Sequence, residues 1–210
     1  MKRYLSWAKT VATLLTRGDW ATLAYLVRMH WHGVDLSVTY QADLGLSPER
    51  SNWSSSSGGP FLARVLREMH IGANDSIIDI GSGKGGALIT MSAFPFSRMA
   101  GVEISDALVA IARENFRRLG LSGIELICTD AAEFTDYDGF NYIYMYNPFP
   151  AQVVVPVVRH ITASLSRVPR DLTVLYKFPV GHDVFVDSGC FEMVKQFPVG
   201  GSFLNVYRAR

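Results

Sequence analysis

The stretch that most constrains this chain begins at Ile77. Ile77-Ile78-Asp79-Ile80 is an apolar run that passes directly into Gly81-Ser82-Gly83-Lys84-Gly85-Gly86. The apolar run reads as a strand, and the glycines read as a tight turn that opens a helix. Glycine lets the backbone turn sharply and lets a ligand approach it closely.

The flanking segments alternate in the same way. Pro60 starts a helix at its favoured first position, and that helix runs to about His70. Ser76 to Ile80 is a strand, and a short helix follows from Gly85. Arg98 to Glu103 is a strand, Asp106 to Leu119 a helix, and Ile124 to Cys128 a strand. Phe140 to Tyr146 is a strand, Val153 to Leu165 a helix, and Leu172 to Tyr176 a strand. Phe191 to Phe197 and Ser202 to Tyr207 complete the chain, with Gly200-Gly201 marking a hairpin between them. Strands alternating with helices predict an α/β fold, with a doubly wound, mainly parallel sheet covered on both faces. The closing hairpin adds an antiparallel strand.

Residues 1 to 32 read as a helical extension. Leu5, Ala8, Val11, Leu14 and Leu15 follow a spacing of three and four, and Trp20 to Trp31 is rich in Leu, Met and aromatics. Lys2, Arg3, Lys9, Arg17 and Arg28 add basic charge. The pattern fits a helical cap, or a surface that touches a membrane or a hydrophobic substrate. Residues 33 to 59 read as loop, with Ser54-Ser55-Ser56-Ser57-Gly58-Gly59 as a hinge. The chain thus divides into a cap and hinge over 1–59 and a main domain over 60–210.

The 210 residues, 49% hydrophobic and 19% charged, describe a globular chain rather than a disordered one. A net charge of +1 makes no demand for nucleic acid. Cys128 and Cys190 lie in apolar runs and read as reduced core thiols of a cytoplasmic protein. No Cys/His cluster has metal-ligand spacing. Met1-Lys2-Arg3 mimics a signal peptide, but Lys9 interrupts the apolar region and no cleavage site follows before Arg17. The charge-free run from Gly139 to Val158 contains Asn147, Pro148, Pro150 and Pro156, which would break a spanning helix.

Gly81, Gly83 and Gly86 fit the dinucleotide pattern G-x-G-x-x-G, so the glycines alone admit a nicotinamide cofactor or S-adenosylmethionine. Charge separates the two. A dinucleotide presents an anionic pyrophosphate, which an acid beside the loop repels. S-adenosylmethionine presents a sulfonium and an ammonium, which suit Asp79. Glu103 closes the second strand, 24 positions after Asp79, where a carboxylate accepts both ribose hydroxyls. Asp130 follows the third strand, where a carboxylate accepts from the adenine amino group or caps a helix.

Asp79-Ile80-Gly81-Ser82-Gly83-Lys84-Gly85, Gly101-Val102-Glu103-Ile104-Ser105, Thr129-Asp130-Ala131 and Tyr146-Asn147-Pro148-Phe149-Pro150 together resemble the class I S-adenosylmethionine-dependent methyltransferases. The resemblance covers about residues 60 to 208 and is narrowest toward small bacterial methyltransferase-domain proteins. It implies a Rossmann-like seven-stranded sheet with an antiparallel last strand. It also implies a cofactor site of Asp79, Gly81, Ser82, Gly83, Gly85, Glu103, Ile104, Asp130, Ala131 and Asn147. In those bacterial proteins a Ser/Thr-containing loop precedes the helix before the glycine loop, and Ser54 to Ser57 fills that place.

Asn147-Pro148-Phe149-Pro150 resembles the Asn-Pro-Pro-Tyr/Phe motif of amino-group methyltransferases, with the aromatic residue third rather than fourth. Asn147, Pro148 and His182 are the candidate catalytic residues. His160 reads as structural or exposed, and Lys177 is placed to meet an anionic substrate. Tyr142, Tyr144 and Tyr146 read as sheet packing. The acceptor class stays open between a small molecule and a protein, and between nitrogen and oxygen. A nicotinamide oxidoreductase and a non-catalytic cofactor-binding scaffold are the competing functions.

Overall fold

The computed structural model of the chain describes residues 13–16, 18–40, 56–147 and 151–210. Strands β1 (Ser76–Ile80), β2 (Arg98–Glu103), β3 (Ile124–Cys128), β4 (Tyr142–Tyr146), β5 (Thr173–Lys177), β6 (Phe191–Val199) and β7 (Ser202–Ala209) form one sheet. Its order is β3-β2-β1-β4-β5-β7-β6. The first five strands pair in parallel, and β7 runs antiparallel to both β5 and β6. The architecture is the doubly wound, mainly parallel sheet expected from the alternation, with the seven strands and antiparallel last strand that the resemblance implies. The chain builds β2 and β3 to one side of β1 and then crosses to β4 on the other. In open α/β sheets such a reversal leaves a crevice at the carboxyl ends of the two central strands, where ligands sit.

Helices cover both faces. α1 (Trp20–Trp31), α2 (Pro60–Glu68), α3 (Gly86–Met91) and α4 (Asp106–Arg118) lie on one face, packing Met29, Leu62, Leu66, Leu88 and Phe116 with Ile77, Tyr144 and Leu175 of the sheet. α5 (Ala151–Arg167) and α6 (His182–Asp187) lie on the other, packing Val154, Val157, Ile161 and Phe185 with Ile78, Ile143 and Tyr176. All five β1 residues are buried, as a central strand covered on both faces requires. Each fully buried Ile there contributes roughly 1.5–3 kcal/mol.

Several expectations are revised. Pro156 lies inside α5 rather than breaking it. It lacks the N–H for one helical hydrogen bond, at a cost of about 3 kcal/mol, while Val153, Val154, Val157, Val158 and Ile161 bury around it and hold the helix on the sheet. The charge-free run from Gly139 therefore divides into β4 and the first half of α5. Among the described residues no helix is long and apolar enough to cross a membrane. Cys128 is exposed rather than in the core, because β3 is an edge strand with one thinly covered face. Its thiol donates to Asp106 at 2.9 Å, and that bond, with burial, pushes its pKa up to about 11. α6 is absent from the sequence reading; its six residues are too few to show a helical period. Residues 1–12, Ser54, Ser55 and Pro148 to Pro150 lie outside the described residues.

The segment from Val34 to Ser37 is docked on the domain. Asn115 on α4 is 1% exposed; its Oδ1 accepts from the Asp35 N–H at 2.8 Å, and its Nδ2 donates to the carbonyls of Asp35 and Lys84 at 3.0 Å. Farther along, Gly58 lies so close to α3 that a Cβ there would fall 2.0 Å from the Gly86 carbonyl oxygen. The Gly59 N–H donates to the Thr90 hydroxyl at 2.7 Å.

Candidate functional site

The glycine turn leaves β1 with Gly81, Gly83 and Gly85 at φ values of 81°, 54° and 78°. Only glycine takes that region without strain, which accounts for the residue type at all three. The Gly81 and Ser82 N–H groups both donate to the Val102 carbonyl, at 2.8 and 2.9 Å, and so seat the turn on β2. Gly101 makes room for it, since a Cβ there would meet Ser82 Oγ at 2.7 Å.

Glu103, at the end of β2, braces the turn from the side. Its Oε2 accepts from the Gly83 N–H and its Oε1 from the Ser105 N–H, both at 2.9 Å. A carboxylate offers about four lone-pair sites, so each oxygen keeps capacity for a further donor. Burial raises the Glu103 pKa, and the backbone N–H bonds act against that rise. Asp79 is 3% exposed. Desolvation, and secondarily the Glu103 charge, push its pKa up to about 8. Two buried acids on adjacent strand ends create a demand for a cation.

The lysine of the turn does not meet that demand. Lys84 Nζ donates to Asp35 Oδ2 and to Ser37 Oγ, both at 3.0 Å, and so serves the N-terminal segment. The turn is thus left without its own lysine to meet a pyrophosphate, and the acids beside it would repel one.

A family model described as a methyltransferase domain matches residues 77–171. Over these residues the chain is similar to a methyltransferase domain, in keeping with the resemblance to the class I S-adenosylmethionine-dependent methyltransferases. It is 27% identical over 151 residues to human EEF1A lysine methyltransferase 2, a match that covers 67% of this chain and 62% of that protein's length. Among solved structures, the ribosomal protein L11 methylase of Lactobacillus delbrueckii subsp. bulgaricus superposes with a TM-score of 0.56 at 17% identity, over 71% of this chain and 76% of that one. An RNA methyltransferase from Salinibacter ruber, solved with S-adenosyl-L-homocysteine, gives 0.54 at 23% identity, over 71% and 89%. These structures share the fold.

The residues around the turn fit S-adenosylmethionine, the cofactor that a methyltransferase domain implies. Ser82 Oγ is buried without a hydrogen-bond partner, the turn backbone is free of side chains at three glycines, and the acids have the right sign. Asp79 would face the cationic methionine end, and Glu103 the ribose. Ile104 is half-buried between Glu103 and Ser105, and Ala131 is buried. Asp130 accepts from the Ala132 N–H at 2.9 Å and so caps its own turn.

Asn147 leaves β4 at the crevice with φ 37°, and its N–H donates to the Lys177 carbonyl at 3.1 Å, tying the ends of β4 and β5 together. Pro148 lies outside the described residues. His182 opens α6, and its Nδ1 lies 2.8 Å from the Tyr207 hydroxyl on β7, within the layer that α5 and α6 cover. The structure therefore groups Asp79, the glycine turn, Glu103 and Asn147 along the carboxyl edge, and ties His182 to the opposite face. His160 is half-buried, with Nδ1 3.0 Å from the Phe134 carbonyl. Tyr142, Tyr144 and Tyr146 all pack on the same sheet face, and the Tyr146 ring centre also lies 4.3 Å from Lys177 Nζ. Sequence reasoning passed over Asn115 and the Lys84–Asp35 pair. The available signal was an Asn on the apolar stripe Leu108-Ala112-Phe116 of α4.

Proposed function

We propose that the protein transfers a methyl group from S-adenosylmethionine to a nitrogen or oxygen of a small-molecule or protein acceptor. The observation that carries this reading is the pair of buried acids, Asp79 and Glu103, around a glycine turn whose lysine is committed to Asp35. When bound, S-adenosylmethionine supplies a methyl group already activated by the sulfonium. The chain then has to hold donor and acceptor in line and exclude water, which is where such a reaction gains most. Asn147, at the crevice, is placed to orient the acceptor. A protein acceptor is supported by the human relative, whose name gives it as a lysine methyltransferase of EEF1A.

Residues 1–59 would serve as cap and hinge, with Ser56 and Ser57 beside the turn helix. Trp20 and Trp31 are 65% and 86% exposed on α1, which supports a hydrophobic or peripheral membrane contact through this helix. The activity would be cytoplasmic. Calorimetry with S-adenosylmethionine, S-adenosylhomocysteine and NAD, followed by transfer of labelled methyl into a host extract, tests the reading. The first two ligands bind and NAD does not; binding of NAD alone would reverse the assignment.

A further inference from the structure

Lys177 closes β5 with its Nζ among aromatic rings. Nζ lies 4.3 Å from the Tyr146 ring centre, 5.7 Å from Phe61 and 5.8 Å from Phe178. The residue is 9% exposed, and among the described residues no carboxylate, carbonyl or hydroxyl is recorded as its partner. Buried lysines ordinarily have one. Strand alternation puts Lys177 on the same sheet face as Leu175, Tyr144 and Asp79, and the register sets it beside Tyr146. Its backbone carbonyl holds Asn147. Tyr146 of β4 is the titratable group beside this position; Asp79 lies on the same sheet face two strands away on β1, and Arg64 of α2 stands over the Phe61 ring at 5.4 Å. The β7 neighbour is Leu204, which is apolar.

We propose that Lys177 is a catalytic residue that takes the proton lost by the acceptor's hydroxyl or ammonium group as that group is methylated. The proposal rests on the methyltransferase reading. In the step, the acceptor's lone pair forms the bond to the methyl carbon while the electron pair of the carbon–sulfur bond returns to sulfur. The acceptor's proton passes to the Nζ lone pair, before attack for an ammonium, whose lone pair this frees, and as the new bond forms for a hydroxyl, and Lys177 becomes an ammonium. The positive charge that the donor loses reappears on Lys177, so the buried edge carries the same total charge before and after. The rings then hold the new ammonium by cation–π attraction. Desolvation lowers the Lys177 pKa to about 8, close to working pH, as a proton acceptor requires. A sulfonium on the same edge lowers it further, because like charges disfavour one another.

Two variants and one labelling measurement test this. Lys177→Met and Lys177→Arg should bind S-adenosylhomocysteine within about twofold of the parent, and both should lose roughly 100-fold or more of labelled-methyl transfer into a host extract. Arginine keeps the charge and cannot give up its proton. Transfer restored by Lys177→Arg would make the residue a charge anchor and overturn the proposal, as would an active Lys177→Met. Acetic anhydride labelling of the parent protein, read by mass spectrometry across pH, needs no variant to fold. Lys177 should become reactive at lower pH than a free lysine side chain in a short peptide, and at lower pH with S-adenosylmethionine than with S-adenosylhomocysteine. Identical profiles with the two ligands would overturn the proposal. If the parent binds neither ligand, the methyltransferase reading itself fails.

Discussion

Lys84 and Asp35 join the glycine turn to the N-terminal segment through a 3.0 Å ion pair, in which the lysine is almost fully buried and the aspartate about one-third exposed. Hydrogen bonds from Ser37 and Lys84 take the Asp35 pKa below its ordinary value, although partial burial acts in the opposite direction. The turn that shapes the cofactor site is therefore also the anchor of the segment beside it.

Breaking this anchor should release the segment without melting the domain. Lys84→Met removes two charged hydrogen bonds, each worth about 1.5–3 kcal/mol, and the exposure of Asp35 moderates the loss. Amide hydrogen exchange should speed up at residues 34–37 and stay slow in β1. Unchanged exchange at 34–37 would show that Asn115 alone holds the segment.

Glu103 has two tasks, bracing Gly83 and receiving the ribose. Glu103→Ala should weaken S-adenosylhomocysteine by about tenfold or more, the equivalent of one lost charged hydrogen bond. Glu103→Gln retains one acceptor oxygen and should fall between. Calorimetry showing parental affinity for a folded Glu103→Ala would remove the ribose assignment.

Asp79 makes binding depend on pH. Its folded pKa of about 8 lies above the unfolded value near 4. Between these values the folded state keeps a proton that the unfolded state has released, so the group's support for the fold is complete below about pH 4 and lost as pH rises toward 8. A cation beside Asp79 favours the ionised form, so at pH 7 binding of S-adenosylmethionine should release about one proton and tighten up to pH 8. Calorimetry in buffers of different ionisation enthalpy measures this directly. Asp79→Asn should abolish the release and raise Tm at pH 8.5 by roughly 2–4 °C per kcal/mol relieved. Proton release unchanged in the variant would place the linkage elsewhere.

Asn147 sits at φ 37°, a region Asn tolerates better than most residues and Gly best of all. Asn147→Ala would mix lost chemistry with added strain. Asn147→Gly removes the side chain and keeps the backbone, so Tm should hold within about 1 kcal/mol of stability while turnover falls more than cofactor affinity. A fully active Asn147→Gly would reduce Asn147 to a turn residue.

The local pattern was sufficient for most of the architecture. Apolar runs, glycine turns and the Pro60 start each act over a few residues, so the sequence alone determined the strands, their parallel alternation, the glycine turn and the acids at the carboxyl ends of β1 and β2. It also determined the sign of the site's charge, because Asp79 and Glu103 are attached to strand ends whose direction the alternation dictates. What lies far apart in sequence was settled only by tertiary structure. Asp35 meets Lys84 across 49 positions, and Asn115 meets Asp35 across 80. Pro156 remains in its helix because the sheet beneath offers more burial than the missing hydrogen bond costs. Lys177 reads in the sequence as a charge at a strand end. Packing from β4, from α2 and from the turn after β5 is what encloses it in rings and removes its water, and a lysine's chemistry depends on that enclosure.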